Sequence, residues 1–232
     1  LGDVPRWVML NQPPIFLGGQ GGIIGPVRLG FGNVVAAGSM LRHDYPGGNQ
    51  RIFEKSPANG TKDYIPAAYP NFGRIIKNNF LYLANLAALE SWYSQVRKPF
   101  LETMEFGTLI YEALLEQLLS ARKERLKRLK AMTAKAAISP LEVSSTRKDL
   151  VSKIGWLEEL FTEKIPEIMT ATEIAREEFL NDFEKNAKDK SANYISTIQR
   201  LPAEVSGKGI TWLNGIVDAI VQKAAQALPP TG

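Results

Sequence analysis

The chain has 232 residues, enough for one large domain or two small ones, and its 44% hydrophobic and 22% charged residues exclude a disordered chain. A net charge of +4 is too small to predict a nucleic-acid partner, and without cysteine neither a disulfide nor a thiolate metal site is available. A cytoplasmic setting is the simpler expectation: no charged-then-apolar leader is found, and no apolar run reaches membrane-spanning length. The start at Leu1-Gly2-Asp3, with no methionine, suggests a piece of a longer polypeptide.

In chain order, Leu1 to Phe16 holds Trp7, a candidate packing residue. Val8-Met9-Leu10 follows as a plausible strand, then Pro13-Pro14. From Leu17 to Leu41 the apolar residues recur every six: Leu17, Ile23, Leu29, Val35 and Leu41. The next residue is small at Gly18, Gly30 and Ala36, with Ile24 the exception, and the fifth position is compact at Gly21, Val27, Asn33 and Ser39. A phase of six with an aliphatic residue first is the hexapeptide signature of a parallel β-helix, and a flexible glycine linker would not keep it. Leu1 to Phe16 then reads as an imperfect preceding coil. Burying one aliphatic side chain yields about 1.5–3 kcal/mol, while fixing one residue's backbone costs about 1–2. Five column residues therefore cannot order some twenty-five, so the hexads must stack on upstream coils, on other subunits or on the rest of this chain.

The words FLGGQGGIIGPV (Phe16 to Val27) and RLGFGNVVAAGSMLRHD (Arg28 to Asp44), with an irregular tail to Lys55, resemble a known family. They are similar to the end of the left-handed β-helix in bifunctional UDP-N-acetylglucosamine pyrophosphorylase/glucosamine-1-phosphate N-acetyltransferases. The likeness covers about forty residues. It implies acetyl-CoA as cofactor, with backbone groups of Ala37 on the pantetheine arm, Gly19 at the small position of the preceding turn and Lys55 near a CoA phosphate. Gly19 stands where the family has serine, and Lys55 where it has arginine, one point charge in place of a fork. The resemblance also implies a homo-oligomer, a trimer, and a nucleotidyltransferase domain upstream through which any sugar nucleotide would be bound. The implied reaction is UTP plus N-acetylglucosamine 1-phosphate giving UDP-N-acetylglucosamine, with acetyl transfer from acetyl-CoA. Its catalytic residues would lie upstream, so this chain alone is expected to be inactive.

Past Leu41, proline, glycine and asparagine punctuate the chain to Pro70, with Arg51-Ile52-Phe53 as one short strand. From Asn71 the apolar spacing becomes three and four, which predicts helix. A first helix runs to Val96, and Pro99 ends or restarts it. A second runs from Leu109 to Met132, stopped at Ile138-Ser139-Pro140, and a third from Leu150 to Phe183, kinked or divided at Pro166. A polar stretch, Lys185 to Ser191, is expected to fray. A short helix covers Asn193 to Leu201, and a last one Ile210 to Leu228. The fold expected is α+β: β-helix terminal coils over 1–45, an irregular connection over 46–70 and an antiparallel helical bundle over 71–232.

His43, the lone histidine, matches no catalytic position of the family and reads as a solvated loop residue. The basic run Arg122 to Lys130 reads as a solvated helix face rather than a phosphate patch. The last helix, opened by Trp212, is expected to pack on the bundle or a neighbouring subunit rather than lie on a membrane. No carboxylate dyad, serine triad or HExxH metal motif occurs, so neither a catalytic residue nor a metal ligand is assigned. Two functions stay open: the C-terminal part of a sugar-nucleotide transferase, or an oligomerisation and protein-interaction module.

Overall fold

The computed structural model describes residues 1–55, 58–61, 63, 69, 71–137, 145–188 and 193–228, with 145–147 described by their backbone. The chain opens on a helix, not on a coil. Helix α1 spans Val4–Trp7 because Asp3 caps it, accepting a hydrogen bond from the Arg6 backbone N–H at 3.0 Å, and Pro5 fits its first turn. Val8 and Met9, expected in a strand, are buried in the helical core instead.

The hexad segment forms strands of two residues each: β1 (Phe16–Leu17), β2 (Gly22–Ile23), β3 (Val34–Val35), β4 (Met40–Leu41) and β5 (Arg51–Ile52). All pair in parallel, β1-β3-β5 in one sheet and β2-β4 in another, and β1–β3 and β2–β4 partners stand eighteen residues apart, three hexads. Leu29, Val35, Leu41 and Ile52 share one small apolar cluster. The expected α+β architecture with a terminal β-helix is nonetheless corrected. The protein is mainly helical with small parallel sheets, and no closed or solenoid β-helix is present among the described residues. The physical reason is extent. Leu17 and Ile23, assigned to the column, are 44% and 42% exposed, so few aliphatic side chains remain to carry a stack.

The sheets rest on the helices through polar ties. Arg74 donates to the Pro26 carbonyl at 2.8 Å, and Asn78 donates to the Asp44 carboxylate at 3.2 Å. Buried Asn33 holds the loop after β4: its amide donates to the Tyr45 and Gly47 carbonyls at 3.2 and 2.7 Å, and its oxygen accepts from the Gln50 N–H at 2.8 Å.

The helical body begins with α2 (Phe72–Trp92), whose Ile76, Phe80, Leu83 and Ala87 face inward at spacings of three and four. Its partner α9 (Ala203–Ala227) buries Val205, Gly209, Trp212, Leu213, Ile216 and Ile220 in the same rhythm, starting seven residues before the expected Ile210. Between them come α3 (Lys98–Leu101), α4 (Gly107–Ala137), α5 (Ser145–Thr162), α6 (Ile165–Met169), α7 (Glu173–Asn186) and α8 (Tyr194–Gln199). Pro166 stands in the first turn of α6 and marks the division expected of the third segment. The expected stop at Ile138-Ser139-Pro140 lies outside the described residues, as does most of 56–70. Stacked aromatic rings fill the centre: Trp92 on Phe179 at 5.8 Å and Phe179 on Trp212 at 5.7 Å. Trp212 is thus a packing residue, 1% exposed.

Candidate functional site

A cleft of about 610 Å³ opens between the N-terminal segment and the helical body. One wall is Trp7, Leu10 and Pro13-Pro14 with Phe31; the other is Trp92, Tyr93 and Arg97 with Tyr194. Trp7 is 52% exposed at its rim, so the sequence reading of Trp7 as a packing residue is corrected: the helix ends there, and Val8 and Met9 after it enter the core while the indole stays at the cleft.

The floor owes its shape to Pro99. A proline within a helix lacks the N–H and crowds the carbonyl four residues earlier. Here the helix does not stop. It widens into a π-helical turn over Tyr93–Arg97, in which the Lys98 N–H reaches the Tyr93 carbonyl, and α3 carries Pro99. Such turns are rare and recur at functional sites. This one brings Tyr93 and Arg97 to the cleft wall.

The Arg97 guanidinium carbon lies over the Tyr194 ring, 3.9 Å from its centre. Tyr194 is fixed from two further sides: the buried Trp92 indole N–H donates to its hydroxyl at 2.7 Å, and Phe100 meets its ring edge-on at 5.3 Å. Burial raises the Tyr194 phenol above its usual pKa, against the pull of the Trp92 hydrogen bond and of Arg97. Burial also raises Tyr93, again against Arg97. Arg97 has no carboxylate partner among the described residues, and no acidic side chain lines the cleft. The site is therefore a largely apolar, aromatic slot with one guanidinium that has no carboxylate partner among the described residues and carries donors suited to an anion.

The residues singled out from sequence fall elsewhere. Gly18 and Gly19 lie against the Ala36–Gly38 turn: the Gly38 N–H donates to the Gly19 carbonyl at 2.9 Å, and a Cβ on Gly18 would come within 2.4 Å of the Ala37 nitrogen. Ala37 and Gly19 are exposed and adjacent. Lys55 is exposed, and its carbonyl accepts from the Arg42 guanidinium at 3.1 Å. None of the three lines the cleft. His43 is exposed, with Nδ1 2.8 Å from a Glu54 carboxylate oxygen that also accepts from the Arg42 N–H at 2.9 Å. The other Glu54 oxygen accepts from Tyr45 at 3.1 Å. Burial alone would raise Glu54, but these three partners outweigh it and lower its pKa. Within the basic run, Arg122 pairs with Glu90 and Lys130 with Glu158, so part of it serves the fold.

Sequence reading missed the cleft because its walls come from four separate stretches. The signal that pointed toward it was Pro99 amid a strong helical rhythm, with an arginine and a tyrosine within the preceding two turns. Among the described residues no group of three or more histidine, aspartate or glutamate side chains could hold a metal ion, and no helix is long and apolar enough to cross a membrane. Comparison with protein-family models, with curated proteins and with solved structures found no match in any of the three.

Proposed function

We propose that this chain is a binding module whose aromatic cleft takes an anionic ligand with a flat, apolar body. The observation that carries this reading is Arg97: a guanidinium over the Tyr194 ring, in a cleft lined by aromatic side chains and without a carboxylate partner among the described residues. A cleft of about 610 Å³ suits a small molecule. The walls would supply apolar contact, and Arg97 a bidentate bond to a carboxylate, sulfonate or phosphate. A hydrogen bond to a charged group contributes about 1.5–3 kcal/mol, roughly ten- to a hundredfold in affinity.

The test titrates the protein with naphthalene sulfonate and, separately, with neutral naphthalene methanol, following tryptophan emission. The anion is expected to bind more tightly, and Arg97→Leu to remove that preference while leaving the neutral compound unaffected. Equal binding of both compounds, unchanged in Arg97→Leu, would refute the reading.

A second reading keeps the sugar-nucleotide transferase resemblance, and the contact of Gly18-Gly19 with the Ala36–Gly38 turn favours it. On this reading the exposed backbone at Ala37 is a ledge for the amide-bearing arm of acetyl-CoA, with Lys55 toward a phosphate. The nucleotidyl transfer belongs to residues outside this chain. Equilibrium dialysis should then retain acetyl-CoA and lose it on Gly19→Val, while acetyl-CoA and glucosamine-1-phosphate together release no thiol above background. Absence of acetyl-CoA binding, or robust turnover, would sink it.

A further inference from the structure

Two asparagines of the chain precede a glycine, Asn59 and Asn214. The dipeptide carries its own chemistry. The glycine nitrogen is a neighbour of the asparagine side-chain amide, and with no Cβ on the glycine little crowds their approach. The two sites share this sequence and both asparagines are exposed, so neither the residue pair nor access of water separates them. Backbone setting does.

Asn59 lies in the connection between β5 and α2, outside every helix and strand, and Gly60 beside it is exposed as well. Neither residue makes a hydrogen bond among the described residues. A methyl built on Gly60 would meet nothing within 4 Å, so the space around it is open. Asn214 stands inside α9, next to the buried Leu213 and Ile216. A helical ψ of about −42° turns its amide carbon away from the Gly215 nitrogen. The N–H on that nitrogen belongs to the helix ladder of bonds to the carbonyl four residues earlier. A methyl on Gly215 would lie 3.2 Å from Thr172, so this turn of α9 is also packed from outside. Attack at Asn214 therefore requires α9 to unwind, and α9 carries Trp212 of the central ring stack.

We propose that Asn59 is a site of spontaneous backbone modification, deamidation through a succinimide, and that α9 shields Asn214 from the same reaction. The Gly60 nitrogen attacks the side-chain carbonyl carbon of Asn59. The new bond from that nitrogen to Cγ closes the succinimide ring, the Cγ–Nδ2 bond breaks, and the Gly60 proton departs with the side-chain nitrogen as ammonia. Water then opens the ring. Addition at Cγ leaves aspartate, and addition at the main-chain carbonyl leaves isoaspartate, whose backbone runs through the former side chain. Water is the only co-reactant, and nothing is oxidised or reduced. Either product puts a carboxylate in place of a neutral amide and lowers the formal net charge of +4 by one. The reaction quickens as pH rises, because the attacking nitrogen must give up its proton.

The test ages the purified chain in mildly alkaline buffer at physiological temperature and follows it by proteolytic peptide mapping with mass spectrometry. The peptide holding Asn59 is expected to gain the mass of an amide-to-acid exchange and to split into two chromatographic forms. One of them should accept a methyl group from S-adenosylmethionine in the presence of an isoaspartyl methyltransferase. The peptide holding Asn214 is expected to stay unchanged. Ageing in denaturant, with α9 unfolded, is expected to bring Asn214 to the rate of Asn59. Gly60→Ala places only a methyl in open space and is expected to abolish the isoaspartate form over the same period. Native loss at Asn214 as fast as at Asn59, aspartate without isoaspartate, a Gly60→Ala chain that ages like the wild type, or an Asn214 inert in denaturant would each overturn the proposal.

Discussion

Gly207 and Gly209 sit two residues apart in α9, and alanine at each should move stability in opposite directions. In a helix interior, Gly→Ala gains about 0.8–1 kcal/mol from backbone entropy and propensity. At Gly207 nothing lies within 4 Å of the added methyl, so that gain is expected whole. For a chain of this size, about 1 kcal/mol corresponds to a rise in Tm of roughly 2–4 °C. At Gly209 the same methyl would lie 2.6 Å from the end of Met9 and 2.9 and 3.1 Å from two ring carbons of Phe179. Carbon contacts settle at about 3.5–4.0 Å, so neighbours must retreat by roughly 0.5–1 Å. Met9 ends in a flexible thioether and can yield. Phe179 is stacked between Trp92 and Trp212 and cannot move without disturbing both. Overpacking of this kind costs about 1–3 kcal/mol, which exceeds the propensity gain. The propensity term cancels between the two variants, so they should separate by that same 1–3 kcal/mol. Thermal unfolding followed by far-UV circular dichroism reads the difference. If Gly209→Ala melts at or above Gly207→Ala, the ring stack does not press on α9 and the account of the core fails.

Three further outcomes follow from the same geometry. Tyr194→Phe keeps the ring under Arg97 but orphans the buried Trp92 N–H; it should cost about 1–3 kcal/mol in denaturant unfolding, and an unchanged midpoint would mean water takes the hydroxyl's place. Asn33→Ala removes three hydrogen bonds at a fully buried position and should destabilise by at least about 2 kcal/mol; backbone hydrogen exchange at Gln50 should accelerate, and protection there unaltered would contradict the assignment. Hydrogen bonds from Lys185 and Lys208 hold the Asp182 carboxyl at about 2, below its ordinary 3.8. A depressed carboxylate stabilises the fold above its unfolded value, and here that contribution is lost as pH falls from 3.8 through about 2. Carbon NMR titration of the Asp182 carboxyl should show the low midpoint, and one near 3.8 would show the two lysines to be elsewhere.

Helices were legible in the chain wherever apolar residues kept a spacing of three and four. Ile76, Phe80 and Leu83 of α2, and Leu213, Ile216 and Ile220 of α9, are all buried. That rhythm is local, so sequence alone carries it. The phase of six was also real as a pattern, since Leu29, Val35 and Leu41 meet in one cluster. Its extent was not legible. Periodicity says which residues align, whereas burial depends on what lies above and below them, and Leu17 and Ile23 have too little there. The same limit applies to the start of α9. The expected start at Ile210 left out Gly209, which the close approach of Phe179 and Met9 makes a packing position inside the helix.

The cleft belongs wholly to tertiary structure. Trp7, Arg97 and Tyr194 are distant in sequence, and only the packing of α1 on α2 and α9, with Tyr194 of α8 under Arg97 of the widened turn, brings them to one cleft. Arg97 was one of 28 cations in the sequence, and Pro99 two residues on marked the turn but not what the guanidinium would meet. What distinguishes it is the absence of a carboxylate beside it among the described residues, together with a tyrosine ring beneath it. Local periodicity is set by bonds along the chain, but an arginine's partner is set by distances across space, and those exist only after folding.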